Sequence, residues 1–448
     1  MDALETQIGE WRTYVSRARA VDGDVEELEA HLRDQIADLN QVGLDEEEAF
    51  LVAVKRMGDV DSLSHEFARE HSERLWKQLV LSDPAEPASS RNGLTQTLLF
   101  AGLAAVAVQV PRLLAFLPGN QDVTLLIVRN AVWLVLGFLA WYYLQRNHLD
   151  RRQTLITAAP FVIAALLVNL YPWDSEAGTQ VVALLHLPVA LWFAVGYAYM
   201  GGTWALHARR MDFVRFTGEW FIYYVLIALG GGLLVGLTSL ILEPVSPWFA
   251  EALFEWVLWS GAAGAVIVAA WLVEAKRGVV ENMAPVLTKV FTPLFAVMLA
   301  GSAATYALTV LGDAFDREQL VVFDVLLVVV LGLVLYGLSA REPDSQPGLF
   351  DRILLVAIVG ALALDLMVLG SMAIRIGDLG FTPNRVAAIG LNLVLLVNLM
   401  RTAWLSARFV SGREGSHVLE RWQTSYLPVL GLWAAAVVVV LPPLFGFS

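Results

Sequence analysis

The sequence predicts an all-α fold: a polytopic α-helical membrane protein of about eleven transmembrane helices behind a small N-terminal cytoplasmic helical bundle. Three observations predict it. Of 448 residues, 57% are hydrophobic and 16% charged, where an ordinary soluble domain carries about 25% charged residues. Apolar runs of the roughly 20 residues needed to cross a bilayer recur from residue 94 onward. Lys and Arg then collect in alternate loops between those runs.

Residues 1–81 read as the helical headpiece. Leu4, Ile8, Trp11 and Val15 repeat at helical spacing, as do Val25, Leu28, Leu32, Ile36 and Leu39. Gly43 offers a stop, and Asp45 with Glu48 a capping box for a helix burying Phe50, Leu51, Val54 and Met57. A fourth helix follows from Asp59 or Asp61, with Val60, Leu63 and Phe67 on its apolar stripe, and Trp76, Leu79 and Val80 near its end reach toward the membrane surface. Residues 1–90 hold 21 Asp and Glu against 9 Lys and Arg, so nearly all of the net charge of −13 lies there. An acidic segment repels nucleic acid and anionic lipid, which leaves a protein as its macromolecular partner. The acidic start, Met1 to Glu5, is unlike a basic-then-apolar leader, so no cleaved signal peptide is expected. With no cysteine, disulfides and thiolate metal sites are excluded.

The phrases Gly43-Leu44-Asp45-Glu46-Glu47-Glu48-Ala49-Phe50 and Arg56-Met57-Gly58-Asp59, following Asp24 to Leu39, make residues 20–70 resemble the permease prefix domain, related to the HAAS signalling domain. The resemblance implies a cytoplasmic regulatory module without catalytic residues. Its expected partner is a PadR-like regulator or a permease subunit, held through residues 1–83.

Residues 82–93, with Pro84, Pro87 and small polar residues, read as a linker. The transmembrane domain, residues 94–448, is expected to place its spans at 94–117, 123–144, 154–173, 179–203, 220–242, 250–273, 286–311, 319–340, 350–374, 383–404 and 425–446. Loops 145–153, 205–218, 274–285, 341–349 and 405–424 carry Arg146, Arg151, Arg152, Arg209, Arg210, Arg215, Lys276, Arg277, Arg341, Arg408, Arg413 and Arg421. The opposite loops carry Arg317 and Arg375 among acids such as Asp122, Asp174 and Glu243. This asymmetry predicts a bacterial inner-membrane protein with its N-terminus cytoplasmic and its C-terminus outside.

Asp365 stands near the middle of the ninth run, where an ionisable group costs at least about 2.5–3.5 kcal/mol and is a functional candidate by default. Asp324 lies in the eighth run and Glu255 in the sixth, while Arg112, Arg129 and Arg375 mark outer ends of runs. Two readings stay open for this constellation. In one, the acids form a polar or proton pathway, and Arg112, Arg129, Arg375 and Arg385 hold an anionic head group of a membrane lipid. In the other, the arginines reach the interface and the acids pair for structure. His186, before Pro188, reads as a packing residue or a proton-handling group. Gly230 to Gly236 and Ser260 to Gly264 read as small faces for close helix packing. No nucleotide-loop, dinucleotide-fingerprint or zincin motif is present, so neither a cofactor nor a metal is implied.

The turn Arg375 to Arg385 carries Arg375, Ile376, Gly380, Thr382, Pro383, Asn384 and Arg385, with Thr382 as helix cap and Pro383 at the first helical position. With this pattern residues 95–445 resemble the bacterial multi-span family known as domain of unknown function 4153. The resemblance implies architecture and no activity. Asn384 and Arg385 would then offer donors to an anion from the helix's first turn. Three functions follow as expectations. The first is a sensory or regulatory protein that binds an envelope component or lipid and relays through its headpiece. The second is a permease for a small solute or lipid, and the third an intramembrane enzyme on lipid-linked substrates.

Overall fold

The computed structural model describes residues 4–5, 7–9, 11–12, 23–41, 45, 49–50, 52–54, 87–114, 123–174, 178–244, 246–275, 291–306, 317–339, 341 and 346–448. Among these there is no strand. The chain divides into two compact units, Met1–Gly93 and Leu94–Ser448.

The first unit contains α1 (Gly23–Gln41) and shorter helical stretches before and after it. Its core is Ile8, Trp11, Leu32, Ile36, Leu39, Ala49, Phe50, Ala53 and Val54. The period of the acidic sequence therefore does mark the inward face. The surface is tied by Arg33, which grips Glu5 at 2.6 and 2.9 Å and Glu29 at 3.1 Å, while Arg12 holds Glu29 at 3.1 Å. Val15, Leu51, Met57 and the whole expected fourth helix lie outside the described residues, and Val25 and Leu28 lie on α1 with their side chains outside the description.

The membrane unit is built from the part of α2 (Pro87–Ala107) that follows Gly93, α3 (Val110–Leu114), α4 (Val123–Arg146), α5 (Arg151–Leu170), α6 (Gly178–Tyr199) and α7 (His207–Leu242). It continues with α8 (Pro247–Ala252), a π-helical stretch Leu253–Leu258, α9 (Trp259–Ala275) and α10 (Phe291–Tyr306). It closes with α11 (Arg317–Ser339), α12 (Leu349–Leu379), α13 (Pro383–Val410), α14 (Ser416–Val439) and α15 (Leu441–Leu444). Helix α2 begins inside the stretch expected as a linker. Pro87 is tolerated there because a first-turn N–H has no helical acceptor to lose.

Ten helices among the described residues are long and apolar enough to cross a membrane. Of the expected span 286–311, the described part is the shorter apolar helix α10. Contacts between helix ends fix where that helix belongs. Asn147 at the end of α4 donates to the carbonyls of Ala198 and Tyr199, and Arg215 near the start of α7 donates to Ser339 O at the end of α11. Tyr142 near the end of α4 meets Glu274 at the end of α9. The ends of α4, α6, α9 and α11 and the start of α7 thus share one face, which carries Arg146, Arg209 and Arg215. Gln96 bonds Gln145 on that same face, whereas Ser448 O accepts from Thr179 N at the opposite one. A chain entering on one face and ending on the other crosses an odd number of times. Ala275 and the start of α11 lie on opposite faces, and α10 is the described helix between them.

Several expected boundaries move. Residues 207–218 and 416–424, read as loops, are helical turns of α7 and α14. Residues 375–379, read as a charged turn, complete α12, so the turn itself is Gly380 to Thr382. Charged residues continue helices here because at a membrane surface they reach water without leaving the helix.

Among the described residues two large hydrophobic cores, and a smaller one of Val182, Ala387, Val437 and Leu441, hold the unit together. One, centred on Leu139, Tyr142, Tyr143, Leu191, Phe216 and Ile267, joins α4, α6, α7 and α9. The other, with Leu299, Leu327, Ile358, Leu364, Leu395 and Leu399, joins α10 to α13. Close approach is set by particular glycines. A Cβ on Gly390 would overlap the Trp433 ring, and one on Gly360 would come within 3.1 Å of Leu299. The run Gly230 to Gly236 differs from expectation, since nothing lies within 4 Å of a Cβ built at any of its glycines. Around it Leu229, Leu233, Leu237 and Ile241 are exposed, as suits a lipid-facing surface.

Candidate functional site

Helix α13 is amphipathic in the reverse of the soluble sense. Leu393, Val397, Met400 and Trp404 face outward, while Asn392, Asn398 and Thr402 are fully buried. In lipid the apolar side chains belong outside, and uncharged polar groups find partners between helices. The helix starts where the sequence says it should: Pro383 holds the first position, and Thr382 Oγ1 accepts from Arg385 N at 3.4 Å. With a 1.5 Å rise, Asn392, Asn398 and Thr402 then stand about 14, 22 and 28 Å along the axis from Pro383. That range matches the roughly 30 Å hydrocarbon core.

At the first of these levels Asn392 Nδ2 donates to Asp324 Oδ1 of α11 at 2.7 Å and to its own Ala388 O at 2.9 Å. Met372 Sδ of α12 lies 3.9 Å from the same amide. Asp365 sits two turns from Met372 on α12, at 0% exposure. Among the described residues neither of its carboxyl oxygens has a hydrogen-bond partner, and neither does Asn392 Oδ1. Among the described residues, Asp324 lies within electrostatic reach of Asp365. Two carboxyls and an open amide oxygen in an apolar core, with no cation among the described residues, need a positive charge or a proton brought to them.

At the next level the amides of Asn398 and Gln423 of α14 exchange two bonds, at 3.1 and 3.2 Å. Gln423 Nε2 also reaches Thr402 Oγ1 at 2.6 Å. Beside Gln423, Thr424 connects to the arginine-rich face: its Oγ1 lies 3.0 Å from His207 Nδ1, and its carbonyl accepts from Arg210 at 2.9 Å. Polar groups thus occur at successive levels, Asp324 with Asn392, Asn398 with Gln423, and Thr424 with Arg210, while Asp365 on α12 makes no hydrogen bond to any of them. The sequence reading weighed charges alone and so missed Asn392, Asn398, Thr402 and Gln423. For Asn392, Asn398 and Thr402 the signal was uncharged polar residues recurring within the predominantly apolar run of α13.

The arginine-rich face also holds a cavity of about 300 Å³, lined by Tyr143, Arg146, Arg209, Asp212, Glu219 and Glu274 among others. Arg146 pairs with Glu274 at 3.0 Å there.

The outer arginines have the following partners among the described residues. Arg112 is ion-paired with Glu255 and lies over the Trp256 ring at 5.1 Å. Glu255 sits on the π-helical stretch, where the wider turn displaces backbone bonds, and Arg112 reaches it from α3. Gln109 Nε2 takes up the carbonyls of Glu255 and Trp256, at 3.3 and 3.0 Å. Arg129 donates to Gln180 Oε1 at 3.2 Å, and Arg385 turns back to Gly380 O at 2.7 Å. Arg375, in the last turns of α12, is partly buried, and Asn384 is exposed. Glu255 is thus committed to Arg112, while Asp365 faces Asp324. His186 Nδ1 makes a local bond to Val182 O at 2.9 Å, as a packing residue does. Among the described residues, no group of three or more His, Asp or Glu could hold a metal ion.

Comparison of the chain with protein-family models, with curated proteins and with solved structures finds no match.

Proposed function

We propose that this integral membrane protein is a proton-linked permease for a small solute, with Asp365 as the group that takes up and releases the proton. The observation that carries the reading is a fully buried carboxyl with both oxygens unpartnered, standing beside a second carboxyl. A structural acid would be expected to hold a hydrogen bond or a cation at that depth. The buried amides and hydroxyl of Asn392, Asn398, Gln423 and Thr424 support the reading, because they supply exchangeable protons and acceptors within the same membrane unit. The test needs no knowledge of the solute. A pH jump on proteoliposomes adsorbed to a solid-supported membrane should give a transient charge displacement, and Asp365→Asn should abolish it. An undiminished transient in that variant overturns the reading.

A second reading, relay of an envelope signal through the headpiece, draws support from the separate core around Trp11, Leu32 and Phe50 and from the likeness of residues 20–70 to the permease prefix domain. In this reading the chain sits in a bacterial inner membrane with the headpiece in the cytoplasm. Deleting residues 1–83 should then abolish capture of a cytoplasmic protein while the membrane unit stays folded. Unchanged capture removes the relay. The two readings are compatible, since a regulated permease needs both units.

A further inference from the structure

The cavity on the arginine-rich face encloses about 300 Å³, at the lower end of the range that small-molecule pockets occupy. Its lining residues come from α4, α6, α7 and α9 and from Met200 just after α6. None of these helices carries Asp324 or Asp365, so binding there goes beyond the proton reading. Helix α7 supplies one stripe of the lining, Arg209, Asp212, Phe216 and Glu219, spaced so that all four share a helix face. The stripe descends about 15 Å along the axis, from an exposed Arg209 at the rim to Glu219 at 4% exposure. Beside it Phe216 stacks on Tyr199 at 4.3 Å, and Tyr143 stands edge-on to both rings. These three rings give the cavity an aromatic wall.

The charges around this space balance. Arg146, Arg209 and Arg215 line it together with Asp212, Glu219 and Glu274. Arg146 and Glu274 close on each other at 3.0 Å, and Arg215 gives Nε and Nη2 to Ser339 O. Arg209 and Asp212 stand one turn apart, yet among the described residues they make no hydrogen bond or ion pair, with each other or with any other group. An arginine ahead of the acid is the weaker order for such a pair. The first turn of α7 also holds Arg209 and no acid, at the end of the helix dipole that favours an anion. A guanidinium and a carboxylate are thus offered side by side to a space with room for a ligand. A simple anion would meet Asp212 and Glu219 as like charges, and a simple cation would meet Arg209 and Arg215. A molecule carrying both charges close together meets both complements at once. We infer that the cavity binds a small zwitterion of the α-amino-acid class, with its carboxylate on Arg209, its ammonium on Asp212 and its side chain on the aromatic wall.

The experiment is thermal unfolding of the full chain in detergent, titrated in parallel with phenylalanine, phenylpropionate, phenethylamine and glucose at equal ionic strength. The first three share one ring and differ in which charges they carry, and glucose tests a neutral polar ligand. Phenylalanine should stabilise the protein, and each singly charged analogue should bind about ten-fold more weakly, the loss of one charge-assisted hydrogen bond. Arg209→Gln should weaken phenylalanine by about the same factor and leave phenethylamine unchanged, whereas Asp212→Asn should weaken phenylalanine and leave phenylpropionate unchanged. Both variants keep the fold, since Arg209 is exposed and Asn nearly matches the shape of Asp. The readout involves no proton movement, so it stands or falls apart from the role of Asp365. No stabilisation by phenylalanine, an analogue as strong as the zwitterion, stabilisation by glucose alone, or the same phenylalanine response in wild type and both variants overturns the site.

Discussion

Asn392 donates its side-chain amide to Asp324 at 2.7 Å, across the junction of α13 and α11. The amide's own oxygen stays open. This bond supports the partly buried Asp324, which no cation reaches among the described residues. Asn392→Leu should therefore cost about 1–3 kcal/mol, the penalty for stranding a buried polar partner. Asn392→Asp, which sets a third carboxyl in the same place, should cost more. Thermal unfolding in a fixed detergent checks both, and a neutral Asn392→Leu would mean that Asp324 has another partner.

Asp365 should behave in the opposite sense. An unpartnered buried polar group is a standing destabilisation, worth about 1–3 kcal/mol in mutational series. Asp365→Leu is expected to raise the unfolding temperature while the pH-jump transient disappears. Gained stability together with lost activity marks a functional group. Should the variant unfold at a lower temperature, the carboxyl is holding structure in the bilayer through a partner that the fold alone does not supply.

How much of this was legible beforehand depended on the kind of signal. Asp365 stood out because a lone carboxylate in an apolar run violates composition locally, within one window. The headpiece core was legible for the same reason: Ile8, Trp11, Leu32 and Phe50 follow one period. The pairing of Arg112 with Glu255 was not, because the two are far apart in sequence and the π turn that presents Glu255 has no composition signature. Charge also misled at helix ends. Arg209, Arg210 and Arg215 suggested a loop, yet they lie on α7, which begins at His207. The Gly230 to Gly236 run suggested packing, and its space is open instead. Whether small residues serve a neighbour is decided by what stands opposite, which a single chain read in order does not contain.

Asn398 and Gln423 form a closed pair, and closed pairs in membranes are worth less than their geometry suggests. Measured couplings between helices average about 0.6 kcal/mol and reach about 1.7. A double-mutant cycle with Asn398→Leu and Gln423→Leu should return a coupling in that range, toward its upper end because Thr402 shares the bond. Each single change should destabilise more than half as much as the double, since each strands the amide left behind. Additive single effects would show that the two amides find other partners when separated.

In the headpiece the ion pair between Glu5 and Arg33 ties the N-terminal helical stretch to α1 and makes that tie sensitive to acid. The hydrogen bond from Arg33 holds the Glu5 carboxyl below its usual range, and Glu5 in turn pushes the guanidinium up. A carboxyl depressed in the folded state stabilises fully above the unfolded glutamate value of about 4.3. Its contribution is lost as pH falls through the depressed folded value. Arg33 stays charged throughout, so Glu5 sets the window. Hydrogen exchange along Gly23–Gln41 in the full chain should therefore speed up below about pH 4 relative to pH 7, after correction for the intrinsic rate. Other acids titrate in the same range, so the comparison that isolates this pair is Arg33→Gln. That variant should lose protection at pH 7 and show a smaller further loss in acid. An equal acid effect in both proteins would place the sensitivity elsewhere in the acidic headpiece.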